Sequence, residues 1–150
     1  MDKIIEFEIP GEPMAKARPR ATVIGGHARV YTPQKTANYE GKVALAFKTK
    51  YPDQEPFNGA VIVNVKCYFP YSKVDFWPIN RKHHGELREE SKNKLHIKKP
   101  DCDNLAKSVL DGLNGIAFSD DSQIVYLTVA KFYSLRPRTE ICVEELGNEE

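Results

Sequence analysis

Few of the features that usually announce a function are present in this chain. Its three cysteines, Cys67, Cys102 and Cys142, form no Cys-x-x-Cys pair, so a structural zinc site is not expected. The odd count and the lack of a signal peptide suggest a reducing, cytoplasmic setting. No apolar run approaches membrane-spanning length, and there are no internal repeats. A Gly-rich phosphate loop is missing, which counts against a small-molecule phosphotransferase. Net charge is only +1, so total charge selects no partner.

The distribution of charge says more. Residues 14–20 hold three basic residues and no acid, and residues 72–100 hold eight Lys/Arg against four acids, with three of the four histidines. The acids collect in 101–121 and in the last eleven residues. Such segregation predicts separate basic and acidic patches.

The 150 residues, 41% hydrophobic and 29% charged, fit a single domain over 1–150 that can bury a real core. Ile5, Phe7 and Ile9 alternate with acids in a half-buried strand that Pro10-Gly11 stops. Residues 11–33 read as a basic arm or loose hairpin around Gly25-Gly26. Thr32-Pro33 opens a helix with Tyr39, Val43, Ala44, Phe47 and Tyr51 as its apolar stripe, and Pro52 ends it. Residues 60–69 form a strong strand, with Val61, Val63, Val65, Cys67 and Phe69 on one face. A long basic loop follows over 71–99, expected to be mobile without a ligand, with a helical pattern at most over 86–96.

The second helix runs from Asp103 to Asn114. Leu105, Val109, Leu110 and Leu113 form its buried face, and Gly115 is its C′ residue. Residues 123–133 and 139–146 read as strands joined in a hairpin. The order β-α-β-loop-α-β-β predicts an α+β domain, a small mixed sheet with two main helices packed on one face.

The chemistry concentrates in two places. Asp101 and Asp103 flank the first turn of the second helix, and Asp120-Asp121 precede the next strand. The plain reading of Asp101 and Asp103 is a cap and a solvated turn residue. Against it, no apolar strand precedes the pair, as an aspartyl-phosphate phosphatase would require. Leu105 and Ala106 also stand where an EF-hand needs an oxygen ligand and glycine. A helix and turn leading into an adjacent strand could bring the two acidic pairs together, and oxygen-only ligand sets suit Mg²⁺ or Mn²⁺.

Lys107, four residues after Asp103, is either an ordinary surface ion-pair partner or a point charge beside a scissile phosphate. Asp111 reads as its salt-bridge partner rather than a ligand. Asn104 and Gln123 either orient a ligand carboxylate or water, or cap and turn. DNA contacts are expected from Lys16, Arg18, Arg20, Arg81, Lys82, Lys92, Lys94, Lys98 and Lys99; the alternative is a solvated basic loop. Phe76-Trp77 could stack on an unpaired base or fold back onto the core. His83, His84 and His96 read as polar loop residues or phosphate donors.

The run Asp101-x-Asp103-Asn104-Leu105-x-Lys107, then Asp111-x-Leu113, then Asp120-Asp121-x-Gln123 resembles the RusA family of Holliday-junction resolvases, small phage and prophage endonucleases. The resemblance is close over residues 99–133 and looser over the whole chain. It implies a homodimer that resolves four-way DNA junctions by paired symmetric nicks, using Mg²⁺ or Mn²⁺. Carried over by residue, it implies Asp101, Asp103 and Asp121 as metal ligands and Lys107 as the catalytic lysine. Two rivals remain: a broader structure-selective nuclease on forks or flaps, and a non-catalytic branched-DNA-binding protein.

Overall fold

The computed structural model describes residues 3–17, 20–31 and 34–147, with the backbone alone at 20–22, 24 and 31. The expected helix start at Thr32-Pro33 lies outside the described residues. In chain order the elements are β1 (Ile4–Pro10), β2 (Arg20–Ile24), β3 (His27–Tyr31), α1 (Gln34–Lys50), β4 (Val61–Phe69), α2 (Cys102–Leu113), β5 (Ile124–Tyr133) and β6 (Arg138–Glu145). Short 3-10 turns lie at Lys73–Asp75, Glu89–Ser91 and Asp121–Gln123.

Alternation decides the sheet. Ile5, Phe7 and Ile9 on β1, Val61 to Phe69 at every second position on β4, and Ile141 and Val143 on β6 point to one buried face. Tyr39, Val43 and Phe47 of α1, with Leu105, Val109 and Leu113 of α2, cover it. This is the expected α+β domain with both helices on one face of a mixed sheet. The basic arm contains an antiparallel hairpin, β2 with β3. Gly25 and Gly26 form its turn at φ +61° and +81°, values that a primed two-residue turn demands.

The final two strands are not a hairpin. The sheet order is β1-β6-β4-β5, so β4 lies between them, antiparallel to β6 and parallel to β5. Spacing alone cannot distinguish a hairpin from a pair split by a third strand. The connection after β5 crosses the end of β4, where the Ser134 amide donates to the Phe69 carbonyl (2.9 Å). Doubly flanked, β4 is the most buried strand, and β5 is left at an edge.

The two helices meet closely at Gly112. A Cβ there would lie 2.8 Å from Val43 Cβ and 3.0 Å from the Glu40 carbonyl oxygen, so the packing itself selects glycine. Gly115, at φ +82°, ends α2 as expected.

Residues 71–99 contain a 3-10 turn at Glu89–Ser91 rather than an α-helix over 86–96. The polar 86–96 stretch has no apolar face to dock. The loop is instead tied around Asp75, which is buried and accepts hydrogen bonds from Lys94 Nζ (2.8 Å), Ser91 Oγ (2.9 Å) and the Ser72 amide (2.8 Å).

Candidate metal and nucleic-acid site

The unit β4–loop–α2–β5 places the N-terminus of α2 beside the carboxyl ends of two parallel strands. Open α/β sheets bind ligands in this position. Lys131, near the end of β5, fixes the approach: its ammonium donates to the carbonyls of Lys98 (2.8 Å) and Pro100 (3.0 Å). Cys102 Sγ also approaches the Val129 carbonyl, at 4.0 Å.

Asp101 occupies the N-cap position of α2, yet its side chain makes no capping bond. Among the described residues, neither Asp101 nor Asp103 has a side-chain hydrogen bond or ion pair, and both are exposed. The reading of the pair as mere caps therefore lacks its central contact. Two neighbouring, unpartnered carboxylates offer oxygen ligands suited to Mg²⁺, which usually keeps several waters and takes one or two protein carboxylates.

Lys107 is exposed one turn along α2 and pairs with neither Asp103 nor Asp111 among the described residues. Asp111 takes a different partner. Lys16, on the arm after β1, binds the Asp111 carboxylate and lies 3.7 Å from Glu40 of α1. Asp111 raises the Lys16 pKa above the ordinary lysine range. The Lys16 amide also donates to the Asn104 carbonyl (3.0 Å), and Ser108 Oγ donates to the Met14 carbonyl (2.6 Å). Lys16 is thus held between the helices.

Asp121 stands elsewhere. It begins the 3-10 turn before β5, whereas Asp101 lies near Lys131. Lys131 lies seven positions along β5 from Ile124, or about 23 Å at strand rise. Among the described residues, no group of three or more His, Cys, Asp or Glu side chains is arranged to hold a metal. The helix and turn run antiparallel to β5 and carry the acidic pairs to opposite ends.

Asp120 and Gln123 serve the turn itself. Asp120 Oδ2 accepts from the Ser122 amide (3.1 Å), while Gln123 Oε1 accepts from the Asp120 amide (2.7 Å). Gln123 Nε2 donates to the Phe57 and Gly59 carbonyls, both at 2.8 Å. Ser122 holds the Asp120 carboxyl below its usual pKa.

Of the basic candidates, Arg18 and the Arg20 side chain lie outside the described residues. Arg81, Lys82, Lys92, Lys98 and Lys99 are exposed; Lys92 pairs with Glu89 (2.7 Å) and Lys94 with Asp75. Trp77 folds back: His83 stacks on it at 4.1 Å and Arg88 covers it at 3.9 Å. His83 Nδ1 lies 2.5 Å from Glu86 Oε1, and His84 donates its backbone amide to Glu86. Sequence reasoning missed Lys131. The only available signal was a lysine on the core-facing register of an apolar strand, opposite Cys67.

Among the described residues no helix is long and apolar enough to cross a membrane. The chain is 37% identical over 143 residues to YqaN of Bacillus subtilis (strain 168), an uncharacterized protein, covering 95% of this chain and 97% of that one. The family model described as endodeoxyribonuclease RusA matches residues 10–144. That span includes α2, both acidic pairs, β4, β5 and nearly all of β6, and the chain belongs to the RusA endodeoxyribonuclease family.

Proposed function

We propose that this chain is a Mg²⁺-dependent endodeoxyribonuclease that resolves four-way DNA junctions by paired symmetric nicks, in recombination and repair within the cytoplasm. Mn²⁺ would substitute for it. The observation that carries this reading is the pair of unpartnered carboxylates, Asp101 and Asp103, one helical turn from unpaired Lys107 at the carboxyl ends of parallel strands. A divalent cation there supplies Lewis acidity to the phosphate and lowers the pKa of water. Asp101 and Asp103 would hold it. Lys107 would offset negative charge developing on the phosphate oxygens. Arg81, Lys82, Lys98 and Lys99, with Arg18 and Arg20, would bind flanking phosphates.

The remaining carboxylate, Asp121, would come from a second copy of the chain. The β5 edge is free among the described strands and exposes Val125, Tyr126 and Leu127. Antiparallel pairing of β5 with its copy about a two-fold axis would bring the amino end of one strand toward the carboxyl end of the other. Each Asp101–Asp103 pair would then meet the other copy's Asp121. The same symmetry would supply two sites for two cuts.

Subunit mixing tests this directly. Asp103→Asn and Asp121→Asn homodimers should each fail to cut a mobile four-way junction in Mg²⁺. Mixed dimers should regain one intact shared site and nick a single strand. Inactive mixtures, shown to contain mixed dimers, would place the complete site within one chain. Wild-type cutting of forks and flaps equally well would leave a structure-selective nuclease, and tight binding without cutting in Mg²⁺ or Mn²⁺ would leave a binding protein.

A further inference from the structure

His96 lies beyond the loop staple and five residues before Asp101. The residue is 8% exposed, with its ring stacked on Phe69 at 4.1 Å and tilted against Tyr133 at 4.9 Å. These aromatics end the parallel strands β4 and β5. The ring borders a small pocket of about 170 Å³, also lined by Ser72, Lys98, Lys99, Pro100 and Glu12. That is below the roughly 300–1,000 Å³ of a drug-sized ligand site, so the occupant is a small group.

His96 Nδ1 is sealed from solvent and has no hydrogen-bond partner. A proton on Nδ1 would therefore be a buried, unmatched donor. This favours the tautomer protonated at Nε2, which makes no protein hydrogen bond among the described residues. Burial, with Lys131 and Lys98, depresses the ring's pKa, so the imidazole remains a neutral donor. Lys98 and Lys99 supply positive charge at the pocket, and Glu12 is the opposing carboxylate.

Pro100 forms one wall and directly precedes Asp101, so a group held here would adjoin the carboxylates. We propose that the pocket binds a DNA phosphodiester neighbouring the one to be cut, with His96 Nε2–H as a directional donor and Lys98 and Lys99 as its cations. This subsite rests on the DNA-cleaving reading for its ligand. The lysines attract any phosphate at long range; the neutral imidazole selects one position through a short-range bond. Its aromatic stack fixes that bond's direction.

The test is binding in chelator, where no cutting occurs. Four-way junction DNA and inorganic phosphate are titrated separately into the full chain, with His96 ring nitrogens followed by ¹⁵N NMR. Junction DNA should shift Nε2 at saturation. His96→Phe, which retains ring packing but removes the donor, should weaken junction binding about tenfold, whereas His96→Gln should largely preserve it. Lys98→Ala with Lys99→Ala should lower the logarithmic salt slope by about two.

An unchanged Nε2 at saturating junction DNA, or wild-type affinity in a folded His96→Phe protein, overturns the proposal. A response to inorganic phosphate but not DNA overturns it in favour of a free-anion site. An Nε2 response and weakened His96→Phe binding in a wild type that never cuts would preserve the subsite and remove the nuclease reading. Cutting by wild type with a silent His96 would do the reverse.

Discussion

Lys131 donates its ammonium to the carbonyl of Pro100, 3.0 Å away, and so anchors the residue directly before Asp101 to the edge strand β5. Its second bond, to the Lys98 carbonyl at 2.8 Å, holds the turn from both sides. Lys131 is consequently a positioning residue for the candidate carboxylates. Lys131→Met should reduce kcat on a four-way junction by about tenfold or more, because misplacing a reacting group is costly. KM should change less than threefold by the same argument. Lys131→Arg should recover part of the loss. Equal effects on kcat and stability, without rescue, would reduce Lys131 to a packing role.

Asp101→Asn and Asp103→Asn should each lower Mg²⁺-dependent cutting by about 100-fold or more, in line with losing a group that acts in the transition state. Junction binding in chelator should persist, since the substitutions remove negative charge near DNA. Lys107→Ala should also slow cutting while leaving the fold intact. Single-turnover assays beside filter binding separate these effects, and undiminished cutting by either Asp variant would overturn the assignment.

Lys16 should act mainly through the fold. Its contacts with Asp111 and Glu40 link the arm to both helices. Lys16→Met should cost about 1 kcal/mol, the upper range for a partly exposed pair. A double-mutant cycle with Asp111→Asn should reveal coupling of about 0.5 kcal/mol or more. The salt slope of junction binding should be unchanged; a slope reduced by about one would instead make Lys16 a phosphate contact.

Gly112→Ala should lower Tm. Better helix propensity contributes up to about 1 kcal/mol, but the new methyl must displace Val43 or the α1 backbone. Overpacking of this kind costs about 1–3 kcal/mol. A higher Tm would mean that α1 can move away without loss.

Acid should loosen the basic loop before the core. The Lys94 ammonium, aided by hydrogen bonds from Ser91 and Ser72, holds the Asp75 carboxyl well below the usual carboxylate range. Its folded pKa is depressed, so its contribution is present above the unfolded value of about 4 and is lost as pH falls toward the folded value. Trp77, the chain's single tryptophan, lies in this loop and should report a fluorescence change below about pH 4. Asp75→Asn should show the loosened signal at pH 7 and lose the Asp75-linked acid response.

The amino-acid sequence by itself determined the elements. Alternation at Ile5, Phe7 and Ile9 and at Val61 to Phe69 can satisfy only a one-sided sheet, and the spacing of Leu105, Val109 and Leu113 can satisfy only a helix on it. Gly25-Gly26 and Gly115 marked turns because few other residues tolerate positive φ. Family membership was legible in the carboxylate run because its spacing spans a helix and the following strand. Tertiary structure alone decided the partners: β4 enters between β5 and β6, Lys16 reaches Asp111 across 95 residues, and Trp77 is covered by its own loop. It also carried Asp121 to the opposite end of β5 from Asp101. Local sequence limits backbone conformation and the face each residue presents, but non-local pairing depends on how all elements share one core.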